Sequence, residues 1–140
     1  MKHKTSADDR QFRRAFEAFE VSPESFGHRA HLRLAYVYLC DRPPAEAKTA
    51  MKTALLGFLD HLELGTSKFH ETITAAWIDA VHHFMMTSAP AGSFDGFIAE
   101  NPVLLDSKVM LTHYSAELLF SNRAREQVVD PDISDIPKHE

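Results

Sequence analysis

The sequence predicts an all-α chain: a compact, single-domain helical bundle of about five main helices, with no sheet. Three observations predict it. Apolar residues recur at helical spacing in one segment after another, as in Phe12/Phe16/Phe19 and Met51/Leu55/Phe58/Leu62. No long stretch alternates apolar and polar residues, so strand signals are nearly absent. Proline and glycine fall between the periodic segments rather than inside them. The chain has 140 residues, of which 44% are hydrophobic, enough for one domain with a real core.

The first helix is expected over about 7–20. Ser6 is its N-cap, and Asp8 and Asp9 place negative charge at its N-terminus. "VSPESFG" ends that element through Pro23 and Gly27. A second helix spans about 28–41 and stops before Pro43-Pro44. Pro44 suits the first turn of a third, which reaches about 64 and has Gly65 as its C-cap candidate. Ser67 is the expected N-cap of a fourth helix, with Glu71 in its first turn and its body reaching about Met86. "SFDGFIAE" is a short helix before Pro102, and 103–114 is the fifth main helix. Ser115 and Ser121 cap two short helices after Tyr114. Residues 129–140 form an irregular acidic tail, interrupted by prolines and laid over the surface or frayed. The single domain is expected to cover 1–140.

Charge and composition exclude several classes. The formal net charge is −5 and the basic residues are scattered apart from Arg13-Arg14, which argues against a nucleic-acid partner. No apolar run is long enough for a membrane span. The N-terminus has basic residues but no apolar stretch after them, unlike a secretory signal. A single cysteine, Cys40, fits a reducing cytoplasm and reads as a buried structural thiol.

The chemistry-bearing residues are the nine histidines. Direction decides among them, because each helical residue turns about 100° from the last. On the fourth helix, Ile73, Trp77, Val81 and Phe84 surround His70, so it faces inward, whereas His82 and His83 lie toward solvent. On the second, His28 and His31 form an i,i+3 pair inside the apolar arc, and Tyr38 shares the His31 face. On the expected fifth, Val109, Met110 and Asp106 surround His113. Three helices thus each send an imidazole inward, and a buried polar group without a partner costs a few kcal/mol. The imidazoles are therefore expected either to bond backbone carbonyls singly or to share one site. The shared site would bind a divalent transition metal (Zn, Fe or Cu) through His28, His31, His70, His113 and Asp106. Glu71 and Tyr38 are then the candidate catalytic groups, Glu71 as a base or ligand. His3, His61 and His139 read as solvated. Trp77 reads first as core, with the apolar wall of a pocket as the alternative, and Arg123 and Arg125 as partners of the acidic tail or else of an anionic ligand. Neither H-E-x-x-H nor the Glu-x-x-His pairs of di-iron bundles occur.

The stretches "FGHRAHLRLA", "KFHETITAAW" and "HYSAELLFSNRAR", followed by "DPDISDIP", resemble a group of small, all-helical, uncharacterised bacterial proteins over about 12–137. The resemblance implies a bacterial source and one domain, and it brings no activity with it. Two functional expectations follow from the residues. One is a small metal-binding protein or metal-dependent enzyme acting on a small molecule. The other is a metal-free module that binds a small ligand or a cofactor such as heme, or else a structural or interaction protein whose histidines only satisfy its core.

Overall fold

The computed structural model describes residues 2–65 and 69–138, and all regular structure among them is helical. The order is α1 (Ala7–Glu17), α2 (His28–Asp41), α3 (Pro44–His61), α4 (Glu71–Thr87), α5 (Phe94–Glu100), α6 (Ala116–Leu119) and α7 (Asn122–Glu126). Short 3-10 segments lie at Pro23–Ser25, Pro102–Leu105 and Ser107–Thr112. No described helix is long and apolar enough to cross a membrane.

α2 is the central element, packed against α1, α3, α4 and α5. Its sequence explains this. From Leu34 to Leu39 every residue is buried, and a helix that is apolar on all sides needs neighbours on all sides. α4 contacts α2, α3 and α7, and buries a similarly continuous run from Thr74 to Ile78. The α1–α3 end of the core closes on stacked aromatics, with Phe16 at 4.6 Å from Phe26 and 4.7 Å from Phe58.

Asp9 ties three helices together. The Ser6 hydroxyl accepts from its amide at 3.0 Å, and its carboxylate accepts from the Ser6 amide at 3.0 Å, completing a capping box. The same carboxylate accepts from the Phe94 amide of α5 at 2.9 Å and from Arg33 Nε of α2 at 2.9 Å. Burial pushes the carboxyl's pKa up, but these amides and the guanidinium outweigh it and hold the group below its usual range. The sequence placed Asp9 at the helix start as a favourable charge. The structure adds that it is 2% exposed and is a junction.

Three boundaries differ from expectation. α1 ends at Glu17, because Phe19 turns left-handed at φ 63°; it leaves the Phe12/Phe16 face and stacks on His61 at 4.7 Å. α3 ends at His61, and the left-handed residue that closes its turn is Glu63 (φ 58°), ahead of Gly65. The expected fifth helix does not form. Pro102 opens one 3-10 segment, and Asp106 ends it and caps the next by accepting from the Lys108 amide at 3.0 Å. The expected N-cap Ser67 lies outside the described residues.

The tail is tied down. The Thr72 hydroxyl of α4 donates to Gln127 O at 2.9 Å and accepts from the Val129 amide at 3.1 Å. Asp132 accepts from the amide and hydroxyl of Ser115 at 2.8 and 2.7 Å, and Val129 and Ile136 are buried.

Replacing Asp9 with Ala should cost on the order of 3 kcal/mol, because it strands a partly buried guanidinium and two amides. Asp9→Asn should cost less. Urea denaturation checks both, and a loss below about 1 kcal/mol for the Ala variant would remove Asp9 from this role.

Candidate functional site

His70 is not in a helix. It is the N-cap of α4, with extended backbone, and its Nδ1 accepts from the Ile73 amide at 3.0 Å. An amide only donates, so Nδ1 carries the lone pair and the ring proton sits on Nε2. That proton is donated to Leu119 O at 2.7 Å. Both nitrogens are therefore used, and the helical-wheel position assigned to His70 does not apply. Burial lowers its pKa and so favours the neutral ring.

Three other imidazoles also bond backbone carbonyls. His28 Nε2 donates to Leu104 O at 2.8 Å, and His113 Nδ1 to Ser134 O at 2.8 Å. His3 was expected in solvent. Instead its Nε2 donates to Met85 O at 2.7 Å, its Nδ1 accepts from the Ala91 amide at 3.1 Å, and its ring lies edge-on to Tyr36 and Phe97.

The structure disperses most of the expected site. His113 follows a 3-10 segment and joins the tail, and Asp106 is an exposed cap. Glu71 pairs with Lys52 of α3 at 2.5 Å. Tyr38 donates to Glu17 at 2.6 Å beneath Arg42, beside Phe19 and away from His31. Burial raises the pKa of the Tyr38 phenol, and the Glu17 carboxylate raises it further. Asp79 pairs with Lys48 at 3.0 Å. Among the described residues, no group of three or more His, Cys, Asp or Glu side chains could hold a metal ion. Cys40, expected to be buried, is half-buried, and its pKa is pushed up to about 11, chiefly by the burial it has.

His28 and His31 do come together. They line a cavity of about 470 Å3 between the start of α2, the first half of α4 and the Ser107–Thr112 segment. Trp77 forms one wall, its ring 4.7 Å from that of His28. Phe26 stands 6.0 Å from the His31 ring, and Ile73 and Met110 add apolar surface. Leu111, Leu119 and Phe120 complete that surface, while Ser107 and Lys108 line it with polar groups. Two of the imidazole–carbonyl bonds support this space: His70 holds Leu119, and His28 holds Leu104 just before the 3-10 wall.

His31 differs from the other inward imidazoles. Among the described residues its ring nitrogens make no hydrogen bond, and it faces the cavity. Its pKa is lowered to about 4 by burial first and by neighbouring His28 second, so it is a neutral donor and acceptor at neutral pH. The sequence missed Phe26, Lys108, Leu111 and Phe120 as lining residues. The only signal for the last two was large apolar side chains in short, weakly periodic segments. No family model, curated protein or solved structure matches the chain.

His70→Ala should cost about 2 kcal/mol, from a lost cap and an unpaired carbonyl, and His70→Asn should recover the cap share only. Chemical denaturation checks the order: wild type, then Asn, then Ala. Equal losses would mean that capping contributes nothing.

A pH dependence follows from the same rings. Unfolded, His31 and His70 take up protons near their ordinary value of 6.5; folded, they resist. Their stabilisation is complete above about pH 6.5 and is lost as pH falls through the lowered folded values, about 4 for His31. The His31 share is on the order of 3 kcal/mol. His31→Gln should flatten the stability–pH curve between these limits, and an unchanged slope would contradict the assignment.

Proposed function

We propose that this protein is a small-molecule binding module whose site is the cavity at the start of α2. The observation that carries the reading is His31, a neutral imidazole with no hydrogen-bond partner among the described residues, on the wall of an otherwise mainly apolar space. Ligand sites have this form: apolar and aromatic walls with a few polar groups that fix orientation. The His31 ring is half-buried on the cavity wall, and a molecule that displaced solvent from this space would have to meet its nitrogens. A preformed site is favoured because His28 and His70 tie two of the wall segments down through backbone carbonyls.

The metal reading has less support. Of its candidate ligands only His28 and His31 line one cavity, and one nitrogen of His28 is already committed. A two-imidazole site would need further ligands from outside the described side chains.

Trp77 is the chain's single tryptophan and reports on the cavity directly. Small amphipathic molecules should shift its emission and raise the melting temperature. Ile73→Phe, which fills the space, should abolish both effects while the fold is retained. Stabilisation by Zn, Fe or Cu salts with no response to organic compounds would contradict the proposal and restore the metal reading.

A further inference from the structure

We infer that the cavity selects an organic acid: a molecule with an apolar body and one carboxylate, held at the end formed by His31, Lys108 and the start of α2. The inference rests on the binding reading above and adds the ligand's chemical class.

Three observations converge. The first is the sign of the lining. The chain carries 15 Lys and Arg against 20 Asp and Glu, yet the ionisable residues lining this cavity are His28, His31 and Lys108, all bases. Among the described residues no carboxylate lines the cavity and Lys108 does, so the lining is locally positive in a chain that is acidic as a whole. The neighbouring carboxylate, Asp106, is turned back onto the Lys108 amide as a cap.

The second is the helix end. α2 is 14 residues long and begins at this cavity. Its N-cap, Gly27, has no side chain, and no side chain caps the first turn. The amides there and the helix dipole favour an anion. A Cβ at Gly27 would meet nothing within 4 Å, so the space beside the N-cap is open.

The third is His31, whose ring has no hydrogen-bond partner among the described residues, lies one turn into α2 and lines the same cavity. As a hydrogen-bond donor it satisfies one carboxylate oxygen, and Lys108 can meet the charge from the rim. The apolar body would then lie against Trp77, Ile73 and Met110. A cation would face Lys108 and the positive end of the α2 dipole, and a neutral ligand would leave both unused.

Three eight-carbon probes share a chain and differ in head group: octanoate, octanamide and octylamine. Each would be titrated into the full chain near neutral pH and low ionic strength, with Trp77 emission and calorimetry as readouts. Octanoate should bind about tenfold more tightly than octanamide, and octylamine most weakly. Lys108→Ala, at an exposed position, should weaken octanoate severalfold and leave octanamide unchanged. Added salt should weaken octanoate alone. Octanamide binding as tightly as octanoate, with both perturbing Trp77, would overturn the acid preference and leave the binding module standing. No response of Trp77 to any of the three would overturn both.

Discussion

The structure depends on backbone carbonyls that regular secondary structure leaves unpaired and that imidazoles then satisfy. After α4 the chain becomes short helices and 3-10 segments, in which fewer carbonyls find partners along the chain. Four histidines reach across 21 or more residues to such groups: His3 to Met85, His28 to Leu104, His70 to Leu119 and His113 to Ser134. Each bond joins a polar ring to a polar backbone atom that would otherwise be costly to remove from water. Four of the nine histidines thus have a structural role, three at carbonyls in the irregular half of the chain and His3 at the last turn of α4.

This arrangement also accounts for the cavity. His28 and His70 fix wall segments on either side of it, and neither segment has a long helix to hold it in place. With those rings committed, His31 alone remains directed at the space without a protein partner among the described residues. One set of residues therefore serves stability, and one neighbour of the same type is left for recognition. Charge follows the same division: the acids near the cavity act as caps or ion pairs elsewhere, and the bases line it.

Much of the fold was legible in the sequence. The caps at Ser6, Ser115 and Ser121 were identified from residue type and position, because hydroxyl capping is local chemistry. The inward pair His28–His31 was legible because α2 is long and regular, so angular position on the helix has meaning there. The same reasoning failed for His70 and His113, since neither lies within an α-helix. Pro102 and the cap-forming Asp106 were the available signs that 103–114 would break into 3-10 turns. His70 gave less warning, because imidazole is not among the usual N-cap residues and its role depends on a carbonyl 49 positions away.

The central claim is that most of these imidazoles are fixed to the backbone and His31 is not. Long-range proton–nitrogen NMR of the histidine rings tests it most directly. The account predicts a proton on Nε2 and a lone pair on Nδ1 for His3 and His70, and an Nε2 proton for His28. It predicts a proton on Nδ1 for His113, and a His31 ring whose nitrogen shifts move when octanoate is added. Averaged tautomers at His70, or one Zn-dependent shift shared by His28, His31, His70 and His113, would contradict it.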